Sequence, residues 1–325
     1  MAQNRLCHEY PRQAFCESAP FRSSGSIHAL KRFFLAIPNS DQNSSLFMRP
    51  TMRSTVRGTI ICLLFSGLCA GTGRAATVTW DNGGGDDAWT TGTNWDGDTV
   101  PGVGDDVVIP GGNTVNLSTT TSVNSLDCSG TFNLSGNTFT LAATSQIQAS
   151  GTFNMSGGIL TGAGNLTVNG SMTWTGGTMK GSGQTIIPSG KTLSISGSNN
   201  KTLESRTLTN QGTVTLSGTG AVRLYYGPTI SNQSGGVFDV QGDVILDHYS
   251  GDYLTFTNAG TFLRSSGTGT ATVEGIFNNT GTLNVQTGTV KLTNGGGTSS
   301  GQTTTVASGA TLEFGGGTHT FSSGL

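Results

Sequence analysis

A short segment that begins with Gly and then alternates apolar with polar residues recurs along the second part of this chain. The copies begin at positions 130, 151, 170, 190, 212, 236, 260, 281 and 309, and they read, for example, GTFNLSG, GTVTLSG and GATLEFG. A repeat of roughly 20 residues is typical of architectures in which no unit buries its apolar side alone, so that each unit stacks on the next. This period constrains the fold more than any other feature of the sequence.

The alternation within each copy indicates β-strands. Phe132 and Leu134 in one copy, like Phe153 and Met155 in the next, are separated by one polar residue, so both members of a pair point to the same side of a strand. A repeat of about 20–24 residues accommodates three such strands and their turns, which form one coil of a parallel β-helix. We predict an all-β fold, a right-handed parallel β-helix (β-solenoid), over residues 113–325. An array of β-sandwiches is the alternative, but the tight hairpin turns it needs are scarce.

Asparagine precedes several of the repeat glycines. Asn210, Asn258 and Asn279 each stand two residues ahead of a Gly. Asn and Gly both tolerate left-handed backbone angles, which other L-residues avoid. We therefore expect these positions to form tight corners of the coil.

The composition agrees with an all-β chain. Gly supplies 51 of the 325 residues, and charged residues make up only 10%. Gly is unfavourable inside helices, which argues against a helical protein. The glycines show no three-residue spacing, which excludes collagen.

The segment before the repeats differs from them. Residues 76–112 contain Trp80, Trp89 and Trp95, three of the four Trp residues in the chain. Solenoids need covers over their end coils, and large flat side chains are suited to that task. We predict that residues 76–112 form a Trp-rich N-terminal cap. The repeat pattern still runs at residue 325, so we also expect the natural β-helix to be longer than the given sequence.

The N-terminal part has the pattern of an exported protein. Residues 52–75 read MRSTVRGTIICLLFSGLCAGTGRA, with a basic start, an apolar run and small residues at the exit, which predicts a signal peptide. The apolar run is shorter than the roughly 20 residues of a membrane span, so none is expected in the mature chain. Residues 1–51 then form an unstructured leader, explained by a start codon assigned too far upstream or by a genuine long leader. Cleavage after residue 75 leaves Cys128 as the one mature cysteine and excludes a disulfide framework.

The head and the coils together resemble a known class. The TWDNGGG and VPGVGDDVVIP segments, followed by coils of the NxGT type, are similar to secreted bacterial β-helical repeat proteins of the autotransporter-passenger and haemagglutinin-like adhesin kind. The resemblance covers residues 76–325 and implies an adhesive or structural role outside the cell or on its surface. Such families also include polysaccharide-active enzymes. No membrane-barrel translocator or sorting tail is visible in the given sequence.

Acidic residues cluster in the predicted cap. Carboxylates on Gly-rich loops suit Ca²⁺, while Asp-Gly pairs also simply form turns. Both interpretations are open, and calcium is the only cofactor that the sequence suggests. The six candidate ligands are Asp86, Asp87, Asp96, Asp98, Asp105 and Asp106.

A second cluster combines aromatic and charged residues. A shift of 22 residues superimposes Val222 and Leu224 on Val244 and Leu246, and would place Tyr225 beside Asp247. Aromatic rings stack on sugars while Arg and Asp orient hydroxyl groups, so this is the candidate carbohydrate-binding surface. The same carboxylates could instead serve a polysaccharide lyase or hydrolase. The candidates are Arg223, Tyr225, Tyr226, Asp247, His248, Tyr249, Asp252 and Tyr253.

Three functions follow from these features. The first is a secreted or cell-surface structural or adhesive β-solenoid without catalytic machinery, whose partner is an extracellular polysaccharide or a cell-surface glycan. The second is a polysaccharide-active β-helix enzyme. The third, ice binding, needs regular ranks of Thr on a flat face, and the varying coil length argues against it. Residues 76–325 hold seven Lys or Arg against fifteen Asp or Glu, so nucleic acid is not an expected partner.

Overall fold

The computed structural model describes residues 76–322. The leader and signal peptide predicted for residues 1–75 lie outside this range. The described part is an all-β parallel solenoid of about 10 turns with about 21 residues per coil, which confirms the predicted fold class. All named strands pair in parallel with the equivalent strands of neighbouring coils. The handedness of the coil stays a prediction.

Each coil contributes one strand to each of three faces, which the chain visits in the order face 1, face 2, face 3. Face 1 consists of Thr77–Thr79, Asp106–Ile109, Ser125–Cys128, Ser145–Ile147, Leu166–Val168, Gln184–Ile187, Thr207–Asn210, Thr229–Asn232, Leu254–Asn258, the second half of Thr270–Asn279, Thr298–Ser299 and Thr320–Phe321.

The other two faces follow the same order along the axis. Face 2 consists of Thr114–Leu117, Thr131–Leu134, Thr152–Met155, Ser171–Trp174, Thr192–Ile195, Thr213–Leu216, Val237–Val240, Thr261–Arg264, Thr282–Val285 and Thr303–Val306. Face 3 consists of Thr121–Val123, Thr138–Leu141, Ile159–Thr161, Gly177–Lys180, Lys201–Glu204, Val222–Tyr225, Ile245–Ser250, the first half of Thr270–Asn279, Thr289–Thr293 and Thr311–Phe314. The helical content of residues 76–322 is the 3-10 turn Gly92–Asn94, and these residues include no helix that is long and apolar enough to cross a bilayer.

The inward side chains form one continuous apolar column. In most strands every second residue is buried, as in Thr131–Leu134, where Phe132 and Leu134 are inaccessible to solvent. Stacking of coils is therefore the main source of buried apolar area, because a single coil cannot enclose its own core. Cys128 belongs to this column, and burial raises the pKa of its thiol to about 12.

One of the nine repeat segments was assigned to the wrong position. The segments from position 130 to 281 all lie on face 2 and pair in register. GATLEFG at 309 does not, because Thr311–Phe314 belongs to face 3 and pairs with Thr289–Thr293. The tenth strand of face 2 is Thr303–Val306, which lacks the repeat motif. The 28-residue interval before position 309 is the sequence sign of this change of face.

Most repeat glycines are required by close packing and not by left-handed angles. Among the nine, only Gly190 and Gly309 have a positive φ, at 74° and 84°. At Gly170, by contrast, a Cβ atom would overlap the carbonyl oxygens of Gly151 and Gln148 in the preceding coil. The backbones of successive coils thus approach each other too closely at this corner for any side chain.

The repeat asparagines form a buried ladder, so their predicted role as left-handed corners was wrong. Asn210, Asn232, Asn258 and Asn279 end successive face 1 strands and are at most 1% exposed. Their side-chain amides donate from each coil to the next, with Nδ2 to Oδ1 distances of 2.7, 2.7 and 2.8 Å. None of the four has a positive φ. The amides of Asn210, Asn232 and Asn258 are thus satisfied by the next coil, which makes their burial tolerable, whereas Nδ2 of Asn279, at the end of the ladder, has no partner among residues 76–322.

The predicted cap covers the first strands of the solenoid. Asp87 and Trp89 bond the backbone of Asn116, the edge of face 2. Trp89 lies 4.7 Å from Trp95 and 5.7 Å from Phe139, measured between ring centroids, and all three tryptophans of the segment are buried. Thr77–Thr79 and Asp106–Ile109 are face 1 strands, so the ladder begins inside residues 76–112 and not after them.

Candidate functional site

Three of the four tyrosines in the described part of the chain lie together on one corner of the solenoid, and the fourth lies at the adjoining corner. The full sequence has five tyrosines, and four of them, Tyr225, Tyr226, Tyr249 and Tyr253, fall within residues 76–322. Tyr225 and Tyr249 lie in the face 3 strands Val222–Tyr225 and Ile245–Ser250, which pair with each other in adjacent coils. Tyr226 and Tyr253 follow these strands in the sequence. We call the surface formed by Arg223, Tyr225, Tyr226, Asp247 and Tyr249 the tyrosine patch.

Aromatic and cationic contacts hold the tyrosine patch together. The rings of Tyr225 and Tyr249 lie 4.9 Å apart with an interplanar angle of 32°. The guanidinium carbon of Arg223 lies 5.2 Å from the centre of the Tyr249 ring, a cation–π distance. Tyr226 and Tyr249 are 57% and 58% exposed, which is unusual for large rings. The patch therefore presents aromatic surface to solvent in a fixed arrangement.

The predicted register across the patch was wrong by two residues. Val222 pairs with Leu246 and Arg223 with Asp247, and a bulge then places Tyr225 opposite Ser250. The cause is local, because this coil is longer than the average and its strand Ile245–Ser250 is two residues longer than most. The extra residues push Tyr249 outward, next to Tyr225.

The backbone at Tyr226 adopts a conformation that large residues rarely accept. Its φ is 54°, its N–H donates to the Ser250 carbonyl at 2.9 Å, and its own carbonyl accepts from the Ser205 hydroxyl at 3.1 Å. A Cβ on Gly251 would lie 2.7 Å from Cδ1 of Tyr226, so glycine is needed there. A strained bulky residue held by its neighbours is a reason to suspect function.

His248, Asp252 and Tyr253 form a second group at the adjoining corner. The rings of His248 and Tyr253 lie 3.9 Å apart, and Asp252 accepts the Gly227 N–H through its carbonyl at 2.9 Å. His248 is half-buried and pairs with the inward-facing Leu224, and its Nδ1 has no partner among residues 76–322. The eight predicted residues are thus two neighbouring groups rather than one exposed surface.

Two acidic residues beside the patch were missed by the sequence reasoning. Glu204 pairs with Tyr225 in the preceding coil, and Glu274 accepts the backbone N–H of His248 at 3.0 Å in the next coil. A shift of 21 residues from Tyr225 would have located Glu204. The pKa of Tyr225 is raised by partial burial and then by the nearby Tyr249, while Arg223 acts in the opposite sense.

The six aspartates of the cap do not assemble into one cation site. Among residues 76–322, no three His, Cys, Asp or Glu side chains group in a way that could hold a metal. Asp86 accepts hydrogen bonds from Thr91 Oγ1 and Asn94 Nδ2, both at 2.6 Å, and these and the Ala88 N–H lower its pKa. Asp105 accepts from the Gly102 N–H at 2.9 Å. Asp86 and Asp105 thus order turns of the cap, whereas Asp106 accepts from Asn124 and Ser125 in the next coil.

Face 2 carries regular ranks of small polar side chains, in spite of the variable coil length. The first outward rank is Thr114, Thr131, Thr152, Ser171, Thr192, Thr213, Val237, Thr261, Thr282 and Thr303, all in register. Asn116, Asn133 and Asn154 in the second rank are linked by side-chain hydrogen bonds of 2.8 and 2.9 Å. The strands of face 2 thus stay in register although the coils differ in length, because the corners contain the extra residues.

Comparison with protein-family models, curated proteins and solved structures finds no match to this chain. The resemblance to autotransporter passengers and haemagglutinin-like adhesins thus stays a prediction.

Proposed function

We propose that this protein is an extracellular or cell-surface β-solenoid of structural or adhesive function that binds carbohydrate through the tyrosine patch. The signal-peptide pattern of residues 52–75 supports export. The solenoid supplies a rigid support, because every coil is hydrogen-bonded to both neighbours on three faces. Rigid supports position binding groups more accurately than loops do.

One observation carries the proposal. Tyr225, Tyr226 and Tyr249 converge on one surface, with exposed rings of Tyr226 and Tyr249 beside an arginine and a carboxylate. Ring faces pack against the apolar faces of sugars, while Arg223 can donate to sugar hydroxyls and Asp247, its register partner on the next strand, can accept from them. Large exposed rings are uncommon on a surface that serves only solubility, and Tyr226 and Tyr249 of this patch are both more than half exposed.

Replacing Tyr249 by Ala is expected to weaken glycan binding at least ten-fold, because it removes the ring that both Tyr225 and Arg223 contact. Ten-fold corresponds to about 1.4 kcal/mol, which is within the range of one aromatic contact. Binding is measured on a glycan array and then by calorimetry. Phe314→Ala is the matched control, since Phe314 is an exposed aromatic, 41% accessible, in the tenth coil. Equal binding by both variants, or no binding by the intact chain, would refute the proposal.

Release of reducing ends or unsaturated products would instead favour the lyase or hydrolase alternative.

Ice binding is a second candidate, because the outward residues of face 2 form ranks that stay in register along the solenoid. From Thr114 to Thr215 its outward positions are all Thr, Ser or Asn, without a charge, at the coil spacing of about 4.8 Å. Hydroxyl and methyl groups in such ranks can hold an ordered water layer, whereas a charge disrupts it.

Thr192→Lys, in the centre of the rank, is expected to abolish any inhibition of ice recrystallisation. Thr178→Lys on face 3 is expected to leave it unchanged. An intact chain that does not slow recrystallisation removes this candidate.

A further inference from the structure

The tyrosine patch contains a guanidinium that is positioned but unpaired. Arg223 stacks on Tyr249, yet within residues 76–322 its guanidinium forms no ion pair and no hydrogen bond, and its Nε is buried without a partner. A buried donor without an acceptor is unfavourable unless something else supplies one. The unused donors face a surface, so the acceptor can come from a ligand.

The charges around this guanidinium are negative. Asp247 pairs with Arg223 on the adjacent strand, Glu204 pairs with Tyr225, and Glu274 bonds the backbone of His248. Asp252 lies at the adjoining corner, where it bonds Gly227. Asp247 is thus the register partner of Arg223, and Glu204, Glu274 and Asp252 lie on the neighbouring strands and corner, so this part of the surface is net acidic. An acidic ligand would be repelled by this surface.

We propose that the tyrosine patch selects neutral glycans and rejects those that carry carboxylates, such as uronate or sialate polymers. This inference rests on the proposed carbohydrate-binding function. A neutral sugar hydroxyl both donates and accepts, so it can accept from Arg223 and donate to Asp247 at once. A sugar carboxylate could bond Arg223 but would lie beside Asp247, on a surface that Glu204, Glu274 and Asp252 make net acidic.

The same observations argue against the opposite preference, in which the patch would bind acidic polymers. Proteins that bind acidic polymers place several basic residues along the path of the chain. Here the nearest other cations on face 3 are Lys201, which is buried, and Lys180, two coils away from Arg223. The single positive charge of Arg223 is too small to offset the negative charge of the nearby carboxylates.

The test compares each neutral polysaccharide with its own oxidised form. Neutral glucan, galactan and mannan are spotted beside the same polymers oxidised at C6 to uronates, and the intact chain is applied at low salt. We expect the neutral form of any bound polymer to bind at least ten-fold more tightly than its oxidised form. Raising the salt to several hundred millimolar should narrow the difference, because surface charges are then screened.

A variant tests the cause of the selectivity. Glu204→Gln removes one charge beside Tyr225 and keeps the side-chain size, so binding of the oxidised polymer should rise at least three-fold while the neutral polymer binds within two-fold of before. Glu313→Gln, in the tenth coil, is the control and should change neither. Equal or tighter binding of the oxidised polymer overturns this inference and leaves carbohydrate binding intact. Binding of neither form overturns the proposed function itself.

Discussion

Gly170→Ala should destabilise the solenoid by about 3 kcal/mol, although it adds a single methyl group. The added Cβ would overlap two backbone carbonyl oxygens, those of Gly151 and Gln148, and neither can rotate away as a side chain could. The Gly151 carbonyl also accepts the Ser171 N–H at 3.0 Å, so moving it weakens the ladder that joins the two coils. Far-UV circular dichroism during urea unfolding measures the loss.

Gly136→Ala provides the matched control for this substitution. A Cβ at Gly136 meets nothing within 4 Å, and its φ is not in the left-handed region. Alanine there is expected to leave stability unchanged or to raise it by about 0.5 kcal/mol, because it restricts the unfolded chain. Similar unfolding midpoints for the two variants would show that close approach of coils does not explain the repeat glycines.

The period and the alternation were sufficient to predict the coil and its inward residues. Phe132, Phe153 and Leu216 are buried as the pattern indicated, because strand side chains alternate strictly and each coil needs a neighbour. The sequence analysis found the repeat glycines and asparagines but explained them by left-handed backbone angles. That explanation was wrong for seven of the nine glycines and for all three asparagines. These residues recur because they make contacts between neighbouring coils, and the sequence of a single repeat does not show such contacts.

The tyrosine patch shows why site geometry was harder to predict than the fold. Its residue types were found from sequence, yet the pairing of Arg223 with Asp247 depends on a coil that departs from the mean length. A bulge beside Tyr225 cannot be read from a period, because the period describes what coils share and the patch lies where one coil differs. The same reasoning failed at Thr311–Phe314, where motif similarity suggested face 2 and strand pairing gives face 3.

The stability of the second half of the solenoid depends on polar contacts inside the core as well as on apolar packing. Arg206 is fully buried without a carboxylate partner, and it donates to Thr185 Oγ1 and the Gln184 carbonyl, both at 3.0 Å. Burial lowers its pKa to about 10. The asparagine ladder begins in the same coil, four residues after Arg206, at Asn210, which pairs with Ile187 of the preceding coil. The buried side chain at this corner thus changes from aliphatic to amide, and the amides of Asn210, Asn232 and Asn258 each donate to the coil that follows.

Asn232→Ala is expected to cost about 3 kcal/mol for that reason. Asn232 accepts from Asn210 at 2.7 Å and donates to Asn258 Oδ1 at 2.7 Å and to the Thr261 carbonyl at 3.0 Å. Alanine leaves the Asn210 donor and two acceptors without this partner in a place that water does not reach. Since stability in a solenoid is a sum of coil and interface terms, the loss should concentrate in the coils around residue 232.

Asn133→Ala is the control that tests whether burial is what makes the inner asparagine ladder important. Asn133 also links two asparagines, with bonds of 2.8 and 2.9 Å, but it does so on the outer side of face 2, where water replaces a lost amide. Its replacement should cost less than about 1 kcal/mol. Urea unfolding measures the loss of stability in each of the two variants. Hydrogen exchange shows where stability is lost, and we expect faster exchange around residue 232 in the first variant but no change around residue 133 in the second. Equal costs would mean that burial does not strengthen the inner ladder, and the four asparagines would then owe their positions to something other than the contacts between their side chains.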